Sequence, residues 1–512
     1  MEKTEEFISL TKQKPIIFVT PELKSFKARA GGLGPAVEEL AIELAKLGCD
    51  VRVISLLYRS IVKDGYKIRI DPEELGVKEV EKSLSIKIGN DWKKLKVFEC
   101  ERKKVHFYFL QNSEIDAIYL GDLFRHAIIL GRGSLELIIR FNLKPSIIHL
   151  HDGMAGITAF FRIADPKYWN FEGIKNSKMV FTVHNAGIAY QQIFPQDRFW
   201  ELNVSTDFRD KIVWNGNLNL TYAALINSDK CNTVSKDYEI TLKTYGEGLR
   251  EVFRKVNIIG ITNGIDIDYW RFDEFKKVKN AEELEVVKKK KKEELINETK
   301  RITGKKLSLE KIICVMPRRL ADQKGFNTIL PLIPIACKER SEGGLSFQFI
   351  VLGLAHPNDP IGHKWAEEFK RLHNEIEEFV FIYDFSEKLA KLMYAGGDVI
   401  LYPSLPNKEP CGTGYMMAAV NGTPCIGTRT GGMAEKIEDF DFLSGKGNGF
   451  LVWKEEYSTE AFWRKLKEVS DLYYLKKEVW KKVCWNAFHM DVSMEKTAKE
   501  YIHKLYIPAI KE

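Results

Sequence analysis

The sequence contains no window of 18 or more uncharged apolar residues, so it offers no helix that would span a bilayer. Its opening residues, MEKTEEFISL, are acidic and polar and lack a secretory-signal pattern, so the chain is expected in the cytoplasm. Its eight cysteines (Cys49, Cys100, Cys231, Cys314, Cys337, Cys411, Cys425 and Cys484) include no C-x-x-C pair. That argues against a zinc site or a disulfide framework and for reduced thiols. There is also no basic arm, because the net charge of +7 is spread over 512 residues. The densest basic run, residues 288–292, has no interleaved aromatics and is followed by Glu293 and Glu294. It reads as the solvated face of a mixed-charge helix, and neither nucleic acid nor a membrane is an expected partner. No internal repeat or low-complexity tract is evident.

A chain of 512 residues exceeds one ordinary core, and two domains of roughly 200–250 residues are the default. Short apolar runs at 15–20, 50–56, 146–150 and 179–183 read as buried strands, and 34–47 reads as an amphipathic helix. Runs at 67–70, 84–88, 94–99 and 105–110 look like a β-rich insertion. The alternation restarts after the charged stretch 276–306, with strands expected at 311–315, 347–352, 380–382, 399–402 and 424–427. From about 458 the chain reads as helical throughout. The fold class is therefore α/β, with two doubly wound domains joined near 265–272. Ligands are expected in the cleft between them, at the carboxyl ends of the strands.

Five motifs carry candidate chemistry. Arg29-Ala30-Gly31-Gly32-Leu33-Gly34 opens the first helix, where backbone N–H groups can approach an anion, although an ordinary glycine turn looks the same. His149-Leu150-His151-Asp152-Gly153 and Thr182-Val183-His184-Asn185-Ala186-Gly187 each follow a strand directly. They can hold ligand contacts or, less readily, a metal, and a single structural histidine is expected among them. Pro317-Arg318-Arg319-Leu320-Ala321-Asp322-Gln323-Lys324-Gly325 places Arg319 and Lys324 in a strand-end loop, two cations suited to a diphosphate. Glu409-Pro410-Cys411-Gly412-Thr413-Gly414-Tyr415, with Thr430-Gly431-Gly432 after it, sets a carboxylate beside a glycine-rich helix start. Such an arrangement can hold a sugar hydroxyl and a phosphate side by side.

Together these runs resemble the glycogen and starch synthases, family 5-like glycosyltransferases of GT-B architecture, from about residue 15 to about 440. Thr233-Val234-Ser235, Asn263-Gly264-Ile265-Asp266 and Gly131-Arg132-Gly133 are further signatures in the family's order. The resemblance implies two Rossmann-like domains facing across a cleft. The acceptor-side domain would be 1–265, with a C-terminal helix of about 485–512 packing back on it, and the nucleotide-sugar domain 266–484. It implies retaining transfer of glucose from ADP-glucose or UDP-glucose to the non-reducing 4-OH of an α-1,4-glucan, with no cofactor and no metal. Arg319 and Lys324 would bind the donor diphosphate, and Glu409 and His184 the transferred glucose. Arg29, Gly31, Gly32, Phe385, Cys411, Gly412, Thr413, Thr430 and Gly431 would complete the donor site, with Asp152 and Asn185 lining the sugar cleft.

Arg29 stands where the family has lysine, and Phe385 falls at the adenine-stacking aromatic. Gly412-Thr413-Gly414-Tyr415-Met416-Met417 departs from the family's usual loop and looks like that of α-glucan phosphorylases. Those enzymes carry pyridoxal phosphate on a lysine at the position of Met417, and methionine cannot form a Schiff base. A GT-B glucosyltransferase using another acceptor is the first alternative and an α-glucan phosphorylase-like enzyme a lesser one, and a homo-oligomer is allowed.

Overall fold

The computed structural model describes residues 2–63, 66–357 and 359–511, so the expected end residues 1 and 512 lie outside the described residues. The chain forms two compact units, Met1–Asn263 with Met494–Glu512, and Gly264–Ser493.

The first unit is built on a nine-stranded sheet. Its strands in chain order are Ile16–Val19 (β1), Val51–Leu56 (β2), Lys78–Ile88 (β3), Asp91–Arg102 (β4), Val105–Gln111 (β5), Ile147–His151 (β6), Lys178–Val183 (β7), Lys230–Thr233 (β8) and Ile259–Gly260 (β9). In space they run β9-β8-β7-β6-β1-β2-β5-β4-β3. All neighbours are parallel from β9 to β5, and β4 and β3 add an antiparallel edge. Strand β1 is buried at every position, as expected of a parallel strand covered on both faces. Strand β5, read from sequence as part of an insertion, instead pairs with β2 inside the parallel sheet, and the added β structure is the β3–β4 hairpin with a separate two-stranded ribbon, Ser60–Lys63 against Tyr66–Arg69. The chain leaves β1 toward β2 on one side and returns to β6 on the other, which makes β1/β6 the topological switch point.

The C-terminal segment is not one helix. Helix Lys477–Phe488 ends, and Met494–Tyr501, a π-helical turn Ile502–Tyr506 and Ile507–Lys511 follow. Met494, Ala498, Tyr501, Ile502, Leu505 and Tyr506 share a core with Ile16, Phe18, Val37 and Val53.

The second unit holds a six-stranded sheet of Ile312–Pro317 (β10), Phe347–Leu352 (β11), Phe379–Ile382 (β12), Val399–Tyr402 (β13), Cys425–Thr428 (β14) and Gly449–Val452 (β15). Its order is β12-β11-β10-β13-β14-β15, every pair parallel. This is the dinucleotide-fold order, with its switch point at β10/β13. Each unit is thus a doubly wound α/β sheet, as the alternation of elements suggested.

The basic run at 288–292 corrects the sequence reading. It lies in helix Ala281–Thr303 as expected, yet Lys291 and Lys292 are buried. Lys288 Nζ donates to the carbonyls of Ala395 (3.0 Å) and Gly397 (2.5 Å) and to Thr423 Oγ1. Lys292 Nζ pairs with Asp398 at 2.7 Å. The long lysine stems reach through apolar surface to carbonyls and a carboxylate, so this face is an anchor for the second unit and not a solvated stripe.

Candidate active site

In the second unit the two loops that leave the switch-point strands meet. After β10 come Arg318 and Arg319, then the turn Asp322–Lys324. After β13 come Pro403, Ser404 and the loop to Glu409. Gly325 closes the first loop at φ 67°, where an added Cβ would lie 1.8 Å from the Pro403 carbonyl oxygen. Only glycine allows the two loops to approach so closely.

The result is a charged cluster on one oxygen. Glu409 Oε2 accepts from Lys324 Nζ (2.7 Å), Arg318 Nη2 (2.9 Å) and Ser404 Oγ (2.9 Å). The Arg318 guanidinium also lies 3.7 Å from the centre of the Tyr402 ring. Burial opposes the Glu409 charge, but Lys324 and Arg318 together hold its carboxyl below the usual carboxylate range. Burial pulls Lys324 down to about 8 against the attraction of Glu409.

Several other second-unit residues expected around the donor lie beside this cluster. Gly431, at φ 56°, passes so close that an added Cβ would lie 2.3 Å from the Glu409 carbonyl oxygen. Thr430 Oγ1 accepts the Asn407 N–H at 3.2 Å. Cys411 is buried, Gly412 sits at φ 72°, and Thr413 is the N-cap of helix Gly414–Ala419. Arg319 is half-buried on the other side of its strand end, where its charge adds to burial in lowering the His356 pKa. Phe385 follows β12 with its ring 62% exposed, an open face outside the buried cluster. The sequence pointed to Arg319 and overlooked Arg318. The signal was the doubled arginine at the strand end, since adjacent residues there point to opposite sides.

In the first unit the loops that leave β6 and β7 meet. Asp152, at φ 60°, follows β6, and its Oδ1 accepts the backbone N–H of His184 (2.7 Å) and of Asn185 (3.4 Å) just after β7. Burial pushes the Asp152 carboxyl up to about 7 against those two bonds, and burial takes His184 down to about 3. His184 is therefore a neutral imidazole, and its Nε2 lies 3.1 Å from His151 Nδ1. His149 is wholly buried, bonded to Thr182 Oγ1 (2.6 Å) and Tyr506 OH (2.9 Å).

The glycine loop after β1 holds a residue that the sequence reading missed. Glu22 Oε2 accepts the N–H groups of Ala30 (3.1 Å), Gly31 (3.3 Å) and Gly34 (3.4 Å), and its Oε1 accepts from Tyr119 OH at 2.8 Å. The donors expected to face a ligand anion are filled by the protein's own carboxylate. Its signal was Pro21-Glu22, an acid set directly after a buried strand. Arg29 Nε donates to the Gly31 carbonyl at 3.1 Å. An added Cβ at Gly31 or Gly32 would meet nothing within 4 Å, so the loop leaves open space there. Among the described residues no group of three His, Cys, Asp or Glu is arranged to hold a metal ion.

Residues 15–255 match the family described as the starch synthase catalytic domain, and residues 310–471 match the glycosyl transferases group 1. A glycogen synthase of Clostridioides difficile is 31% identical over 506 residues, covering 95% of this chain and 98% of that protein. A glycogen synthase of Alkaliphilus metalliredigens is 31% identical over 512 residues, covering 96% and 99%. The solved catalytic domain of starch synthase IV from Arabidopsis thaliana, bound to ADP and acarbose, superposes with a TM-score of 0.81 at 23% identity. It covers 98% of this chain and 100% of that one, which establishes a common fold.

Proposed function

The chain belongs to the glycogen synthase family of hexosyltransferases, and from that premise we propose that it transfers glucose from ADP-glucose to the non-reducing 4-OH of an α-1,4-glucan, with retention. The observation that carries the reading is the convergence of Lys324, Arg318 and Ser404 on Glu409 at the switch point of the second unit. A carboxylate beside strand-end cations suits a sugar linked to a diphosphate. The ADP bound by the Arabidopsis relative supports the adenine donor, and the exposed ring of Phe385 would serve as its stacking face.

Glu409 does not act as a glycosidase-type nucleophile in this reading, because two cations and a hydroxyl already hold its Oε2. It accepts hydrogen bonds from the glucose hydroxyls instead. Arg319 and Lys324 stabilise charge on the departing diphosphate, and the diphosphate takes the proton from the attacking 4-OH on the same face. Asp152, Asn185 and the neutral His184 are sugar contacts in this reading, Cys411, Gly412, Thr413, Thr430 and Gly431 shape the donor loop of the second unit, and Arg29, Gly31 and Gly32 are donor contacts offered by the first. The methionine at 417 is buried in helix Gly414–Ala419 and cannot carry pyridoxal phosphate, which favours a synthase over a phosphorylase. Eight unbridged cysteines suit a reducing cytoplasm.

The test is release of nucleoside diphosphate from ADP-glucose and from UDP-glucose, each with and without glycogen. Glycogen-dependent release of ADP supports the proposal. Release of UDP alone would reassign the donor, and release independent of glycogen would remove the acceptor.

A further inference from the structure

Three histidines stand in a row in the first unit, and the mechanism above uses only His184. Their hydrogen-bond partners fix where each proton sits. Thr182 Oγ1 donates to Asn232 Oδ1 at 2.6 Å, so its one proton is committed. The 2.6 Å contact of His149 Nε2 with that hydroxyl oxygen therefore requires an N–H on His149 Nε2. His149 is neutral, because burial takes its pKa well below the ordinary value, so its Nδ1 is a lone pair that accepts from Tyr506 OH at 2.9 Å.

His151 lies two residues along the same strand. The His151 ring is wholly buried, packed against Phe18 (4.8 Å between centres) and His149 (4.1 Å). Its Nε2 is buried and has no hydrogen-bond partner among the described residues. An N–H at that place would be an orphaned donor, whereas an unbonded ring lone pair costs less. The proton of His151 therefore sits on Nδ1, the nitrogen 3.1 Å from His184 Nε2. His184 Nε2 must accept it, and the proton of the neutral His184 is left on Nδ1.

We infer that His151 is a positioning residue: its Nδ1–H holds His184 as the Nδ1–H tautomer, so that the ring nitrogen left for substrate is a hydrogen-bond donor. The chemistry it recognises is a sugar hydroxyl oxygen accepting that bond. This rests on the proposed contact between His184 and the transferred glucose. The link runs further, because His149 packs at a tilt against His151 and is itself held by Tyr506, while Tyr501 OH accepts from Asn232 Nδ2 at 3.1 Å. The π-helical turn near the C-terminus thus sets the plane against which His151 packs.

The experiment uses the full-length protein with isotope-labelled histidine and long-range proton–nitrogen spectra, the His184 signals being assigned by their loss in His184→Gln. The expected result is a proton on Nδ1 of His184. His151→Asn offers an amide N–H where Nδ1–H stood, and should keep that tautomer with kcat within about threefold of wild type. His151→Phe fills the ring volume without a donor. It should lose the tautomer bias and lower kcat by about tenfold or more, with the Kd for ADP unchanged. A His184 protonated on Nε2 in the wild type overturns the inference. So does His151→Phe with an unchanged His184 spectrum and unchanged kcat. Wild-type kcat in His184→Gln would instead sink the sugar contact, while the tautomer spectrum still decides the role of His151.

Discussion

Glu409→Gln is the perturbation that the second unit makes most informative. The variant keeps the side chain's shape and removes its charge, which leaves Arg318 and Lys324 facing a neutral amide. The side chains of Arg318, Lys324 and Glu409 are only 3%, 12% and 6% exposed, so solvent screens little of the change. Removing one partner from a buried ion pair costs about 3–5 kcal/mol. At about 2–4 °C per kcal/mol for a domain of this size, the second unit should melt about 6–20 °C lower. Two unpaired cations should then attract a free diphosphate more strongly, so the Kd for ADP should fall by about threefold to tenfold, a gain of roughly 0.7–1.4 kcal/mol. Turnover should move the other way. Glucose loses a charge-assisted acceptor worth about 1.5–3 kcal/mol, which lowers kcat by about tenfold or more. Differential scanning calorimetry, titration calorimetry with ADP, and glycogen-dependent turnover read the three quantities. A variant with the wild-type melting temperature and unchanged ADP affinity would refute the ion cluster, and one with intact kcat would refute the sugar contact.

Lys324→Ala and Arg319→Ala should each lower kcat/KM by about a hundredfold, because losing one donor to developing charge costs about 2.7–4 kcal/mol; near-wild-type kinetics in both would remove the phosphate-loop assignment. Burial lowers the Lys324 pKa to about 8, so its cation is present below that pH and lost above it. The KM for the donor should then rise with pH above 8, by up to about tenfold per unit, and Lys324→Arg should flatten that limb because arginine stays charged. A flat KM from neutral to strongly alkaline pH in the wild type would count against this. The Asp152 pKa is raised to about 7 by burial, so its contribution to stability is full below the ordinary aspartate value and is lost as pH climbs toward 7. Asp152→Asn should melt with a shallower dependence over that window, and an identical profile would show that the carboxyl is already ionised there. Dialysis against EDTA should leave turnover unchanged, and activity that magnesium or manganese restores would overturn that expectation.

What the sequence made legible follows from how each residue is used. Strands β1 and β10 were readable because their residues are buried and apolar on both faces, and β6 and β11 because apolar residues dominate their buried runs. Strand β8, Lys-Cys-Asn-Thr, offered no such run, since Asn232 is buried only because Thr182 and Tyr501 bond it. The motif residues Lys324, Glu409, Asp152 and His184 were visible as polar groups following strands. Their partners were not, because Arg318 sits 91 residues from Glu409 and Tyr506 sits 357 from His149 in the chain. The lysines at 288–292 and the carboxylate of Glu22 fail for a single physical reason. A charged residue reads as solvated by its type, yet its role is fixed by whether the folded backbone surrounds it with carbonyls or N–H groups. Lys288 finds carbonyls at 395 and 397, and Glu22 finds the N–H groups of 30, 31 and 34. Since backbone groups lie at every position, no pattern of residue types marks those meetings. The glycines do so indirectly, because Gly325 and Gly431 stand where an added Cβ would collide with the neighbouring loop's carbonyl oxygens. A glycine at a strand-end loop therefore points to two chain segments in contact, and the charged residues beside it are the ones whose burial should be expected before their solvation.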